Sequence, residues 1–196
     1  MNAQSPPESE PEPSTPNGEL TPGIETDIRL LYAAIRRAAP GGLPITVLHI
    51  GADQTAVAAG SGTEPEAMLM LAIGARKTAA DHFKHSPPTP GEVENAIMTV
   101  EDEVTRVRTL LAAGSRLFTT DAAIREIALL AGVPDQPEGV LALDAMERTF
   151  DRLAAVTLGR PASRDELPTS AAFAATLLIL REFRSEERRV GKECRL

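Results

Sequence analysis

Residues 45–60 read ITVLHIGADQTAVAAG. Two runs of strand-forming residues flank one glycine and a short polar patch, the pattern of strand, turn and strand. How the patch Ile50-Gly51-Ala52-Asp53-Gln54-Thr55 is read decides the rest. Three readings stand: a structural hairpin turn, a loop that cradles phosphate through its backbone N–H groups, and an altered site in which a metal held by Asp53 bridges to a nucleotide. A polar Asp-Gln pair suits a turn without any ligand, and the first reading is favoured on that ground.

On the N-terminal side of this stretch, residues 25–39 place Ile28, Leu31, Tyr32 and Ile35 at helical spacing. Pro40-Gly41-Gly42 ends that helix. On the other side, Ser61-Gly62 breaks the second strand, residues 66–73 form a third, and residues 74–84 read as a helix. Gly74 marks a close approach of backbone to backbone. After Pro87-Pro88-Thr89-Pro90, a long helix carries Val93, Ile97, Val100, Val104 and Val107 on one side. The charges Glu101, Asp102, Glu103, Arg106 and Arg108 read as its solvated face. A short strand over 115–119 leads to a helix over 122–131, with Thr120 or Asp121 as its cap. Helices over 143–158 and 168–183 follow, the last nearly apolar and hence buried. The order predicts an α/β domain with a small mixed sheet and flanking helices.

Bulk composition narrows the function classes. Aromatic content is 3%, with no Trp, so the core is built of Ala, Leu, Ile and Val and offers no stacking platform for single-stranded nucleic acid. A formal charge of −8 argues against nucleic acid and anionic membrane as partners. No run approaches the ~18 apolar residues of a membrane span. The single cysteine excludes an intramolecular disulfide and a zinc cluster. The cytoplasm is the expected compartment.

Both ends read as lying outside the fold. Residues 1–23 hold six prolines and four glutamates, the composition of a disordered acidic tail or linker. Residues 184–195, RSEERRVGKECR, match the translation of a common sequencing adapter in register, so 184–196 are expected to be an artefact that cuts the domain short after Phe183. Without them the charge is −10, from 15 basic and 25 acidic residues. The folded domain is therefore expected over 24–183.

Several motifs, taken in order, resemble the second domain of the exopolyphosphatase and guanosine pentaphosphate phosphohydrolase (Ppx/GppA) family. Glu25-Thr26-Asp27-Ile28-Arg29-Leu30-Leu31-Tyr32 stands where the family has SGxEEARLIYxGV. His49-Ile50-Gly51-Ala52-Asp53-Gln54-Thr55-Ala56-Val57 stands where it has DIGGGSTELV. Leu71-Ala72-Ile73-Gly74-Ala75-Arg76 and Ser86-Pro87-Pro88-Thr89 take the places of LPLGAVRLTE and a DPPT-type helix start. Leu117-Phe118-Thr119-Thr120-Asp121 takes the place of a strand entering a Gly-Gly-Thr turn. The resemblance implies an actin-like, ribonuclease-H-like fold and, in an intact member, Mg²⁺-dependent hydrolysis of phosphoanhydrides in a cleft between two lobes. It places phosphate contacts at Gly51, Ala52, Asp53, Gln54, Thr55, Thr119 and Thr120, a metal-holding carboxylate at Asp53, and water activation at Glu25 and Asp27.

The departures point away from that activity. The family's leading Asp is His49, two of its glycines are Ala52 and Asp53, its Ser is Gln54, and its trailing Glu is Ala56. A carboxylate about 4 Å from a phosphate costs on the order of 4 kcal/mol per charge pair at an effective dielectric near 20. Mg²⁺ bridging Asp53 to the phosphate would offset this. The expected role is a catalytically degenerate domain acting in binding or regulation, paired with a missing N-terminal lobe or a partner protein. Two alternatives remain. One is a fragment of a phosphohydrolase acting on polyphosphate or a nucleotide. The other is an actin-like protein of the type IV pilus kind, whose DIGAxxT resembles HIGADQT. His82 and His85, beside Asp81, have a spacing that can bind metal but read as a solvated helix end. His49 reads as half-buried with its ring hydrogen-bonded.

Overall fold

The computed structural model describes residues 22–39, 41–164, 166–188 and 194–195. Most of the expected tail therefore lies outside the described residues. In chain order the elements are α1 (Pro22–Ala38), β1 (Ile45–Ile50), β2 (Thr55–Gly60), β3 (Ala67–Leu71), α2 (Ala75–His82), α3 (Pro90–Thr105), β4 (Arg116–Phe118), α4 (Ala122–Leu130), β5 (Val140–Leu141), α5 (Leu143–Thr157), α6 (Ala171–Arg188) and β6 (Cys194–Arg195).

One mixed sheet runs in the order β3-β2-β1-β4-β6-β5. The antiparallel hairpin β1–β2 pairs Ile45 with Gly60 and Ile50 with Thr55, and β3 continues it antiparallel. β4 lies parallel to β1, with Val47 opposite Phe118. Side chains alternate between two faces, as the period of two requires. Ile45, Val47, Ala56 and Ala58 meet Ile28 and Tyr32 of α1 on one face. Leu48, Ile50, Val57, Leu71 and Leu117 meet the layer of the later helices on the other.

Within that layer α6 is central. Phe173, Ala174, Ala175, Leu177, Leu178, Ile179, Leu180 and Phe183 are all buried, so the helix is wrapped by its neighbours rather than presenting one stripe. Burial of each Leu or Ile is worth roughly 1.5–3 kcal/mol, and this explains the uniformly apolar run in the sequence.

The structure departs from the sequence expectations at several boundaries. Pro22 and Gly23, assigned to the tail, open α1, with proline at the first helical position where its missing N–H costs nothing. The helix over 74–84 is shorter, ending at His82. Consequently His85 lies beyond it and does not share a helical face with His82; its Nδ1 meets Glu92 Oε1 at 2.9 Å. Neither β5 nor β6 was expected. Helix α6 does not stop at 183: Arg184 and Glu186 are buried, and Arg108 donates to both Glu186 oxygens at 2.9 and 3.1 Å. Cys194–Arg195 pairs between β4 and β5.

Candidate functional site

In open α/β sheets ligands bind beyond the carboxyl ends of parallel strands. Here that edge is formed by the end of β1, the 51–54 turn, the 119–121 segment after β4 and the first turns of α1. His49, the last α1-facing residue of β1, follows Ile45 and Val47 on the same side of the strand.

His49 and Asp121 are 72 positions apart in sequence and joined in space. The imidazole Nδ1 lies 2.6 Å from Asp121 Oδ1. The other oxygen, Oδ2, accepts the Ile50 backbone N–H at 2.7 Å, so both carboxylate oxygens are engaged. Asp121 stands at the N-cap position of α4, yet its side chain makes no capping bond. The expectation that it caps the helix is corrected: the carboxylate turns back to β1 and accepts Ile50 N–H beyond the last β1–β4 pair, Val47 with Phe118. The Asp121 hydrogen bond raises the His49 pKa above its ordinary value. Burial opposes this, and the charges of Asp121 and Asp27 add to it.

The 51–54 turn is closed on itself and on α2. Gly51 N–H donates to Gln54 O at 2.9 Å. Gly51 O accepts from Ala75 N–H at 2.9 Å, and Ala52 O accepts from Arg76 and Lys77 N–H at 2.8 and 3.0 Å. The first N–H groups of α2, which at a free helix end attract an anion, are thus occupied by the turn's own carbonyls. Gly74 makes this possible: a Cβ there would stand 2.6 Å from Ala52 O. The close approach expected at Gly74 is present.

The sequence-designated phosphate contacts fare unequally. Thr55 is fully buried, and its hydroxyl donates to Ile73 O at 2.8 Å on the core side of the sheet. Thr119 is also buried, and its hydroxyl accepts Asp121 N–H at 3.2 Å. Ala52, Asp53 and Thr120 are exposed, with Gly51 and Gln54 half-buried. Asp53 forms an ion pair with Arg76, a partner the sequence reading missed.

Glu25 pairs with Arg29 along α1 at 3.3 Å. Asp27 is exposed on the same helix, close enough to His49 to raise its pKa. The described residues do not form a metal site from protein ligands alone. Asp53 is neutralised by Arg76, Asp121 is spent on His49 and Ile50, and among the described residues no group of three His, Cys, Asp or Glu side chains is placed to hold a metal. Nor, among the described residues, is any helix long and apolar enough to cross a membrane.

Two clefts lie away from this edge. One, of about 470 Å³, opens beside Arg36, Arg37, Gly42 and Glu64 at the other end of the hairpin. The other, of about 370 Å³, lies between the end of α4 and the start of α5.

Solved structures share this arrangement of strands and helices. An Aquifex aeolicus member of the Ppx/GppA family superposes with a TM-score of 0.66 at 20% identity, covering 80% of this chain and 53% of the other. The fold is that of the Ppx/GppA structures. A second structure of the Aquifex aeolicus PPX-GPPA enzyme gives a TM-score of 0.64 at 20% identity, over 80% of this chain and 55% of that one. An exopolyphosphatase from Cytophaga hutchinsonii gives 0.62 at 12% identity, over 88% and 58%. The chain thus spans about half the length of the Ppx/GppA structures it matches. No family model and no curated protein matches the sequence. The resemblance read from the motifs is borne out as fold. The motifs also held a signal for the His49–Asp121 contact. They put His49 at the end of the strand that enters one turn and Asp121 in the other, the first position having lost a carboxylate and the second gained one.

Proposed function

We propose that this chain is a catalytically degenerate Ppx/GppA-like, actin-like domain that acts in binding or regulation rather than in phosphoanhydride hydrolysis. One observation carries the reading: the carbonyls of Gly51 and Ala52 occupy the first N–H groups of α2. A phosphate loop presents N–H groups to its ligand; here two carbonyls of the turn are committed to the adjacent helix, Gly51 N–H is spent on Gln54 O, and the turn carries a carboxylate side chain, Asp53. The Asp53–Arg76 pair and the buried Thr55 hydroxyl support the same view. The partner is expected to be a second lobe or another protein.

The alternative is a fragment of a phosphohydrolase, supported by the fold and by the half-length match. Titration of the full chain with ATP, polyphosphate and Mg²⁺, followed by thermal unfolding, separates the two. The degenerate reading expects no shift with any of them. A metal-dependent shift would overturn it in favour of the hydrolase fragment. A gain of such binding in an Ala52→Gly, Asp53→Gly variant would assign the loss to those two side chains.

A further inference from the structure

The sheet ends at β3, which pairs only with β2 among the described residues. The bond directions fix what its outer edge presents. Gly51 N–H donates to Gln54 O within the hairpin, and Glu66 N–H donates to Ala59 O across β2 and β3. Successive residues of an antiparallel strand turn their backbone groups to alternate sides. Thr55, Val57 and Ala59 therefore face β3, and Ala67, Leu69 and Leu71, which stand opposite them, face back. Met68, Met70 and Ala72 face outward. Ala72 N–H is taken by Glu103 Oε2 at 2.9 Å. At the other end Glu66 donates to Ala59 while Ala67 is its register partner, a bulge that turns the edge away. Between these two stops, among the described residues, the N–H and C=O groups of Met68 and Met70 have no partner. We propose that this edge is a self-association surface: two copies of the chain join β3 to β3 in an antiparallel, two-fold pair, with Met68 of each opposite Met70 of the other.

The free groups dictate the register. With two outward residues on each edge, the two-fold pairing that satisfies all of them centres on Leu69. It sets Leu69 against the same residue of the second copy. The strand AMLML holds no charge and no proline, so it lacks the residues that guard a sheet edge. The side chains agree. Met68 and Met70 are half-buried on the α1 layer and Leu69 on the layer of the later helices, so pairing carries both cores across the join. The corners are complementary in charge. Pairing brings Glu66, with the exposed Glu64 beyond it, to the Ala72 corner of the other copy. There Glu103 Oε2 also accepts from Arg106 at 2.7 Å, and that guanidinium is half exposed. The bulge and Glu103 stop the ladder at both ends, so the assembly closes as a dimer.

The test is sedimentation velocity of the full chain from about 5 to about 500 μM, since one short strand per copy makes a small interface. Passage from monomer to dimer, with no larger species, is expected. Met70→Lys puts a charge into the new ladder and removes no bond to β2; it is expected to weaken the dimer about tenfold or more. Cysteine cross-linking in a Cys194→Ser chain reads the register. Leu69→Cys meets its copy at a non-hydrogen-bonded position, with Cα atoms about 4.5 Å apart, and is expected to form a disulfide. Met68→Cys faces residue 70 of the other copy and is expected not to. A monomer throughout the concentration range overturns the proposal, as does a dimer that Met70→Lys leaves intact or one that Met68→Cys cross-links as readily as Leu69→Cys.

Discussion

Gly74 and Ala52 touch through their backbones, and a single added methyl at Gly74 would sit 2.6 Å from Ala52 O and 2.6 Å from Asp53 C. The contact locks the 51–54 turn to the start of α2. The backbone at Gly74 is extended, so the constraint is space rather than conformation. Gly74→Ala must push the turn off the helix. A destabilisation of about 1–3 kcal/mol is expected from such overpacking, read by chemical denaturation. A neutral result would mean that the turn is not seated on α2.

Thr55→Val removes the hydroxyl that donates to Ile73 O while keeping the shape of a fully buried side chain. Loss of one buried hydrogen bond costs about 1 kcal/mol. Because Thr55 faces the core, the same variant is expected to leave any ligand response of the protein unchanged. Altered ligand response at unchanged stability would place Thr55 in the binding machinery.

Asp121→Ala strips the acceptor from Ile50 N–H and the partner from His49, but removes no side-chain cap from α4. A double-mutant cycle with His49→Ala is expected to give a coupling of about 1 kcal/mol, modest because the imidazole is partly exposed. The coupling should be present below the ordinary histidine pKa and shrink as pH rises through the raised folded value. Coupling that is independent of pH would show that the pair is not held by charge.

Glu92 anchors the start of α3. Its carboxylate accepts from Thr89 N–H and Lys84 N–H, both at 2.8 Å, and meets the His85 ring; together these hold its pKa down to about 2. The sign follows from the depression: its stabilisation is present above the ordinary carboxylate pKa and is lost as pH falls toward 2. Glu92→Gln should remove that acid sensitivity, measured as the slope of unfolding free energy between pH 5 and pH 2. Thr89→Ala breaks the reciprocal side of the capping box and is expected to cost about 1 kcal/mol.

Much of the fold was legible because it rests on periodicity. The β1–β2 hairpin, the apolar side of α3 and the buried run of α6 each carry a repeat that one burial pattern satisfies. The short strands were not legible. Val140–Leu141 has too few residues to show a period, and Cys194–Arg195 becomes a strand only through neighbours distant in sequence. At the candidate site, the sequence brought Gly51, Asp53 and the 119–121 segment forward as a group. It did not show that Asp53 is balanced by Arg76, or that Asp121 turns from its own helix to His49.

The sequence by itself determined the order of the helices and of the longer strands, the hairpin, the close backbone approach at Gly74, and a likeness to one fold family. These follow from local sterics and hydrophobic repeats, which act over a few residues. Tertiary structure alone decided where the polar groups of the edge go. Backbone carbonyls and carboxylates take whichever donor the fold brings within about 3 Å, and in this protein those donors come from elements far along the chain. Thus the turn at 51–54 caps a helix, and Asp121 holds a histidine.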